Sequence, residues 1–180
     1  MPGPRFPGRL ILATRGAVPR SVLEAIVAQV SRLFALEVSL PAHPLSIPGQ
    51  QDAWQGSQLL ANWVTSLLER LYGDFDAMSL AVVTDDITIP VMRYVLGQAQ
   101  MGGRHAVIST ARIGGGNLEE RASKLAVHEV GHLFDLVHCE DPVCAMFAVV
   151  SMQELDRRTS LLCRYCTADL ANARCLRNKD

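Results

Sequence analysis

Three of the five histidines in this 180-residue chain lie within eleven positions, in the segment HEVGHLFDLVHC at residues 128–139. His128 and His132 are four residues apart, so on an α-helix their rings leave one face, separated by about 40° and about 6 Å of rise. Both rings can reach one metal ion, and Glu129, about 100° round the helix, can touch a water on that ion. This spacing predicts a catalytic metal site.

A third ligand at His138 requires the helix to end, because in a continuous helix that ring would point away. Glycine usually supplies the left-handed turn at the seventh position after the first histidine, and this chain has Asp135 there. Aspartate is among the non-glycine residues that adopt this conformation most readily. We therefore expect the chain to turn back after Phe134. Three neutral imidazoles that leave a fourth position open are typical of a catalytic zinc site.

Four of the five cysteines form two close pairs, Cys139 with Cys144 and Cys163 with Cys166. Two such pairs fit a tetrahedral four-thiolate zinc site, and in a reducing compartment closely spaced thiols are more often metal ligands than disulfides. Buried free thiols are the alternative. We predict a closed, structural zinc that stabilises a small C-terminal part of the chain. Cys175 is expected to be an inert thiol, buried or partly exposed.

The elements that must position these groups are indicated by the spacing of apolar residues. Three apolar runs predict strands at residues 8–14, 36–40 and 80–84, separated by a loop at 41–56. Gly102-Gly103 predicts a hairpin that joins antiparallel strands at 92–100 and 104–111. Helical periodicity predicts three helices, at residues 21–34, 59–71 and 117–134. Their ends are marked by a capping box of Ser21 with Glu24, by Gly73, and by a cap of Asn117 with Glu120.

Strands that alternate with helices, followed by a loop-rich and cysteine-containing tail, indicate the α/β class. We expect one domain, 1–180, made of a sheet and helix part at 1–137 and a zinc-binding part at 138–180, with the boundary near Val137. The net charge of −1 gives no general attraction to nucleic acid or to an anionic membrane, so neither is expected as a partner. The N-terminal residues contain no run long enough for a signal peptide or a membrane span, which predicts a cytoplasmic protein. At this length a monomer is expected.

The segment HEVGHLFDLVHCEDPVCAM, followed by CRYC, resembles the archaemetzincins, a branch of the metzincin zinc peptidases. Their signature joins H-E-x-x-H-x-x-G-x-x-H to C-x4-C-x-M, with a C-x-x-C further on. This chain keeps each metal ligand of that pattern, with 16 residues between Met146 and Cys163, and departs from it at Asp135. The segments VTDDI at 83–87 and YVLGQAQ at 94–100 are also similar to the family's sheet region.

The resemblance implies a metzincin-like twisted mixed sheet with flanking helices, an active-site helix and two zinc ions per chain. It assigns the catalytic zinc to His128, His132 and His138, and the structural zinc to Cys139, Cys144, Cys163 and Cys166. Glu129 would be the general base, and Met146 would lie in a Met-turn beneath the histidines. The implied activity is hydrolysis of peptide bonds in a peptide or protein substrate by a zinc-activated water. Aminopeptidase action is reported as a tendency of some relatives, and nothing in the sequence indicates end-specificity.

Two other functions stay open. One is a catalytically silent zinc-binding module in which Asp135 or a neighbouring carboxylate blocks the fourth position of the metal. The other is a zinc hydrolase of a non-peptide amide. For a peptide substrate, the hairpin edge at residues 94–100 could bind an extended chain by strand addition. Tyr165, between two cysteines, is expected to be packed, and Asp85-Asp86 is expected to form a turn rather than a site.

Overall fold

The computed structural model describes residues 7–47, 51–149 and 151–177. Its larger sheet has five strands in the order β2-β1-β5-β8-β7, and its smaller sheet has three in the order β3-β4-β6. The strands are β1 Arg9–Arg15, β2 Glu37–Ser39, β3 Trp54–Gln55, β4 Gln58–Leu60, β5 Met78–Val83, β6 Ile87–Thr88, β7 Gly97–Ala99 and β8 His105–Ser109. The helices are α1 Arg20–Phe34, α2 Ala61–Tyr72, α3 Leu118–Leu133, α4 Met152–Arg157 and α5 Arg164–Arg177, with a 3-10 turn at Gln51–Ala53.

The larger sheet is buried on both faces, which explains why its central strands are apolar at successive positions. In β5, Leu80 and Val82 face the core that contains α1 and α3, whereas Ala81 and Val83 face the core that contains α2. This alternation is the two-residue period of a strand, and helices on both faces are typical of parallel strands. β2, β1, β5 and β8 run parallel, and β7 pairs antiparallel with β8 at the edge. The predicted α/β class with a mixed sheet and flanking helices is confirmed.

The predicted hairpin is present but short. β7 pairs with β8 from Gly97↔Ile108 to Ala99↔Ala106, and Gly102 adopts a left-handed φ of 62° in the connecting turn. Residues 92–96 lie outside the strand in an exposed or half-buried loop. The short β7 leaves one side of the sheet as an open edge next to helix α3.

The predicted capping box of Ser21 with Glu24 is wrong, and the predicted cap at Asn117 is right in position, since Asn117 is the N-cap residue of α3, but not in its side-chain bond. Helix α1 begins at Arg20 behind Pro19, so Ser21 lies inside the first turn and its hydroxyl donates to Glu119 instead, at 2.8 Å. Glu24 pairs with Arg20 at 2.7 Å.

At the start of α3, Asn117 has φ −120° and ψ 28°, outside the extended conformation in which a cap side chain reaches back, and it makes no side-chain cap bond. Glu120 instead pairs with Lys124 at 2.7 Å.

Helix α2 starts later than predicted, at Ala61. Leu59 and Leu60 belong to β4, where they pair with β6. The predicted loop at 41–56 contains the 3-10 turn and β3, and residues 48–50 of that loop lie outside the described residues. Gly73 follows the helix as predicted, although with an ordinary right-handed φ of −60°.

The tail is more helical than predicted. α4 begins with a capping box in which Ser151 accepts a hydrogen bond from the amide of Glu154 while the Glu154 carboxylate accepts one from the amide of Ser151. α5 exposes most of its described side chains and buries Cys166 and Leu170. Because so few apolar residues face the core, its periodicity is too weak to have predicted a helix.

Candidate metal centres and active site

The turn predicted at Asp135 forms. Asp135 has φ 66°, its amide bonds to the carbonyl of His132, and the amide of Leu136 bonds to that of Gly131, at 3.0 Å each. These two bonds with a left-handed residue between them define a Schellman motif at the end of α3. The amide of Gly102, in the hairpin turn, also donates to the His132 carbonyl at 2.8 Å. The chain therefore reverses direction as expected and brings His138 back.

The three imidazoles converge. The ring centroids of His128, His132 and His138 lie 4.6, 5.0 and 5.2 Å apart in pairs, and each residue offers one ring nitrogen within 4.8 Å of the others. The Nε2 atoms of His128 and His132 are 3.1 Å apart. Two zinc-bound nitrogens at tetrahedral angles are about 3.3 Å apart. The donor set and its spacing fit a zinc ion.

Hydrogen bonds on the far side of two rings orient them for a metal. Nδ1–H of His128 donates to the carbonyl of Ala145 at 2.9 Å, and Nδ1–H of His132 donates to that of Leu136 at 2.7 Å. This leaves both Nε2 atoms unprotonated and facing each other, which is the tautomer that binds a metal. Burial is the main reason, and the charge of Arg158 the second, why the pKa of His128 is lowered to about 3. Burial also lowers the pKa of His132. Both rings are neutral at neutral pH.

Glu129 lies beside the histidines with its carboxylate against the edge strand. A methyl group on Gly97 of β7 would lie 2.5 Å from Oε1 of Glu129, so only glycine lets the strand approach this closely. Burial raises the pKa of Glu129 to about 8, and the neighbouring Arg158 opposes this. A carboxyl group whose pKa lies near neutrality, beside a metal site, has the properties of a general acid or base.

The four cysteines also converge. The Sγ atoms of Cys139 and Cys163 are 3.7 Å apart, as are those of Cys144 and Cys166, and all four lie within 4.8 Å. A tetrahedral zinc thiolate site has S···S distances of about 3.8 Å. Backbone amides donate to two of these sulfurs at 3.3–3.5 Å, namely Asp141 to Cys139, and Met146 and Cys163 to Cys144. Burial raises the pKa of Cys144 and that of Cys166, whereas hydrogen bonds, first that from the Cys166 amide, lower the pKa of Cys163 to about 7. A bound cation would favour the thiolate form of all four.

Met146 packs beneath the histidine-bearing helix. Its amide and carbonyl lie in a turn that is joined to Cys139 by a 2.9 Å hydrogen bond from the Cys139 amide. A methyl group on Gly131 would lie 2.4 Å from Sδ of Met146, so the glycine within H-E-x-x-H lets the thioether touch the helix. This is the position that the resemblance assigned to the Met-turn.

The site contains one residue that sequence reasoning missed. Arg158 is 1% exposed, and its Nη1 donates to the carbonyls of Ala145 and Phe147 at 3.1 and 3.0 Å and lies 3.2 Å from Nδ1 of His128. Burial lowers the pKa of Arg158 to about 10, so it keeps its charge at neutral pH. In the sequence it is one of two adjacent arginines with no distinguishing spacing, so no signal separated it from a surface residue.

The three histidines, Glu129 and Arg158 line one cleft of about 820 Å³. One side is formed by β7 and the loop before it, the floor by the histidines, Glu129 and Arg158, and the other side by residues 148–152 as far as they are described. Exposed apolar side chains stand at its rim, among them Met92 and Met101.

Other residues singled out in the sequence lie elsewhere. Asp85 pairs with Arg15 at 2.8 Å and Asp86 with Arg112 at 2.6 Å, so the pair forms a structural turn. Tyr165 is 64% exposed, so the prediction that it is packed is wrong. It starts the exposed face of α5. Cys175 is exposed and lies outside the cysteine cluster.

A mixed sheet whose edge strand flanks a helix with two histidines, one glutamate and a left-handed turn to a third histidine defines the class of zinc metallopeptidases. The profile of Peptidase family M54 matches residues 20–172. An archaemetzincin of Methanopyrus kandleri is 32% identical over 162 residues, which cover 87% of this chain and 91% of the relative. One of Pyrococcus abyssi is 34% identical over 178 residues, which cover 91% and 94%.

Solved structures agree with this result. The crystal structure of the Methanopyrus kandleri archaemetzincin matches with a TM-score of 0.83 at 30% identity, covering 95% of this chain and 96% of that one. The Archaeoglobus fulgidus archaemetzincin, crystallised with malonate, matches with a TM-score of 0.76 at 27% identity, covering 89% and 99%. The chain belongs to Peptidase family M54, the archaemetzincins, and is a zinc-dependent metallopeptidase. No helix among the described residues is long and apolar enough to cross a membrane.

Proposed function

We propose that this chain hydrolyses peptide bonds with His128, His132 and His138 as the ligands of a catalytic zinc and Glu129 as the general base. The observation that carries this proposal is the convergence of three imidazoles beside a buried carboxyl group in an open cleft. A zinc ion bound there supplies a Lewis acid that polarises the scissile carbonyl and lowers the pKa of a bound water towards about 7.

The protein's own groups then handle the proton. Glu129 takes a proton from the attacking water and passes it to the leaving amine, which requires a carboxyl group that can exist in both states near neutral pH. Gly97 supports this role, because its missing side chain leaves the space that the carboxyl group occupies. The Nδ1 hydrogen bonds of His128 and His132 hold the rings while charge changes at the site.

The edge strand β7 supports binding of an extended substrate. β7 pairs on one side with β8, and within the described residues no strand pairs with its other side, which borders the cleft. A peptide that adds antiparallel or parallel to this edge gains backbone hydrogen bonds and places its scissile bond over Glu129.

The cleft supports cleavage that does not require a free amino terminus. Among the described residues that line it, Glu129 is the only carboxylate. An aminopeptidase needs an acidic group that binds the α-amino group of its substrate. Apart from Glu129, the described lining of this cleft offers none. Equal turnover of N-acetylated and free peptides is the expected result, and hydrolysis of free peptides alone would support the narrower alternative of an aminopeptidase.

We also propose a second, structural zinc at Cys139, Cys144, Cys163 and Cys166, which makes two zinc ions per chain. The 3.7 Å sulfur spacings and the amide donors support this count. A monomer in the cytoplasm, and the division into a part at 1–137 and a zinc-binding part at 138–180, stay predictions. The alternative of a silent module gains no support, because Asp135 is exposed and does not line the cleft.

The test is the variant Glu129→Ala, assayed on a peptide library and by metal analysis. We expect two zinc ions per chain in both proteins and loss of turnover in the variant, by a factor of about 10² or more. Glu69→Ala, which removes an exposed glutamate on α2, is the matched control and should keep full activity. Turnover that survives Glu129→Ala would exclude the proposed base.

A further inference from the structure

Arg158 carries two donor groups to which no described residue of the protein binds. Both hydrogens of Nη1 are occupied by the carbonyls of Ala145 and Phe147. Nε and Nη2 are buried and have no hydrogen-bond partner among the described residues. A buried guanidinium with half of its donors unpaired is destabilising, so this pair of donors calls for a functional explanation.

Two other arginines of this chain use the same pair of donors to hold a carboxylate. Nε and Nη2 of Arg112 bind the two oxygens of Asp86 at 2.6 Å each. Nε and Nη2 of Arg121 bind those of Asp156 at 2.7 and 2.8 Å. Arg158 presents the same fork, yet it forms no ion pair within the described chain. The complementary ligand is a carboxylate, which fits such a fork with two parallel hydrogen bonds.

The position of the fork is also informative. Arg158 lines the cleft, and its Nη1 lies 3.2 Å from Nδ1 of His128, on the side of that ring opposite to His132. The guanidinium is thus one imidazole ring away from the nitrogens that converge on the metal position. Because Arg158 lines the same cleft as the histidines, a peptide bound there can bring a carboxylate towards it.

We propose that Arg158 is a substrate-binding residue that anchors a carboxylate of the peptide close to the scissile bond. This inference rests on the proposed peptidase function and names its substrate class, namely peptides that carry an acidic group at that position. The carboxylate comes from one of two sources, an Asp or Glu side chain or the carboxy terminus of a short peptide. The Arg158 guanidinium is already removed from water in the free protein. A bound carboxylate would therefore give its Nε and Nη2 the hydrogen bonds that they lack there.

Charge in the rest of the cleft agrees with an acidic ligand. Arg93 and Arg112 stand at its rim, and Glu129 is the only carboxylate among the described lining residues. Arg112 is already paired with Asp86 and stacks on Tyr94. It therefore adds positive charge to the cleft, but its Nε and Nη2 donors are not free to bind a carboxylate.

The test uses three peptide hydroxamates that bind the zinc-loaded protein without being cleaved, measured by isothermal titration calorimetry. The first has Glu next to the hydroxamate and an amidated carboxy terminus, the second has Gln and a free carboxy terminus, and the third has Gln and an amidated terminus. We expect one of the first two to bind about ten- to a hundredfold more tightly than the third. Which one it is identifies the source of the carboxylate.

Variants connect this preference to Arg158. In Arg158→Met the advantage should disappear, and in Arg158→Lys, which keeps the charge without the fork, it should be partly retained. Arg157→Met removes the exposed neighbouring arginine and should leave the preference unchanged. Zinc content is measured for each protein, so a folding defect is seen directly.

Three results would overturn the proposal: equal binding of all three hydroxamates by the wild-type protein, a preference that survives in Arg158→Met, or loss of cysteine-bound zinc as the main effect of that variant. The comparison within the wild type needs no variant and stands if Arg158→Met fails to fold. A clear carboxylate preference together with no turnover of any peptide would reject the proposed peptidase reaction and leave the anchor in place.

Discussion

Asp135 adopts a left-handed backbone conformation at the residue where the chain turns from α3 towards His138. The Schellman bonds around it are made by backbone atoms alone, so the motif does not depend on the side chain. The residue is exposed, and its carboxylate has no hydrogen-bond partner in the described part of the chain. Replacing the usual glycine by aspartate therefore changes strain rather than geometry.

Asp135→Gly should keep the fold and bind the catalytic zinc equally or more tightly. Glycine relieves left-handed strain of about 1 kcal/mol. Zinc affinity by competition with a chromophoric chelator, and urea unfolding of the same samples, measure the two effects.

Asp135→Ala is the matched control, because it removes the same carboxylate while keeping a Cβ in the strained conformation. It should be less stable than Asp135→Gly. A marked loss of zinc in Asp135→Gly would instead show that the carboxylate supports a histidine in a way that the hydrogen bonds do not reveal.

At the scale of elements, α5 depends on the cysteine cluster for its position. It follows Cys163 directly, carries Cys166 in its first turn and buries Leu170, whereas most of its described residues face solvent. A 14-residue helix with so small an apolar contact is marginal by itself. Metal binding at the four thiolates can supply the missing free energy.

Cys163→Ser should therefore lose one zinc ion per chain and unfold at a lower temperature, with loss of helical signal from α5. Atomic absorption and far-UV circular dichroism on heating provide the measurements. Cys175→Ser changes an exposed cysteine of the same helix outside the cluster and should keep wild-type zinc content and melting. An unchanged metal count in Cys163→Ser would contradict the four-thiolate site.

The elements also differ in how well the sequence predicts them, for physical reasons. β1 and β5 were predictable because burial on both faces makes their side chains apolar in succession, and α1 because burial of one face gives its apolar residues a helical period. The capping box at Ser21 failed because Ser21 lies inside the first turn and donates to Glu119 of α3, whereas Asn117 makes no cap bond because its backbone is not extended. α5 was missed because, among its described side chains, it buries only Cys166 and Leu170, which leaves no apolar period to detect.

The candidate site followed the same logic. Metal ligands must have particular side chains at particular intervals, so His128, His132 and the four cysteines could be identified from spacing. The turn at Asp135 could be inferred from its backbone preference. Gly97 and Arg158 reach the site from β7 and from the end of α4, and only tertiary packing brings them to Glu129 and His128.

At the scale of the whole molecule, two bidentate ion pairs join segments that are distant in sequence. Arg112 after β8 binds Asp86 after β5, and Arg121 of α3 binds Asp156 of α4. Hydrogen bonds from Arg112 and Arg121 hold the pKa of Asp86 and the pKa of Asp156 below their usual range. Each pair fixes a segment next to the cleft.

These pKa shifts predict an acid-dependent part of the stability. A carboxylate whose pKa is lower in the folded state adds stability above its unfolded pKa of about 4 and loses it as the pH falls through the folded pKa. The double variant Asp86→Asn, Asp156→Asn should thus melt below the wild type at pH 7, and the difference should shrink towards pH 3. Melting curves at equal pH compare the two proteins, so that acid release of zinc affects both.

The control is Asp74→Asn, which changes an exposed aspartate that forms no ion pair within the described residues. Its melting temperature should follow that of the wild type at every pH. A difference between wild type and double variant that stayed constant from pH 7 to pH 3 would contradict the assigned ion pairs.

The hydrogen bond from the Gly102 amide to the His132 carbonyl has a mechanical consequence. It joins the hairpin turn to the backbone of a residue whose side chain faces the proposed metal position. The end of the β7 edge next to this turn is therefore held in place. The opposite end is held as well, because in the loop before β7 the amide of Val95 donates to Ile87, the carbonyl of Leu96 accepts from Ser109 and the carbonyl of Met92 accepts from the Thr88 hydroxyl. Both ends of the edge are therefore anchored, so the register of a substrate backbone over the histidines should stay constant whatever the size of its side chains.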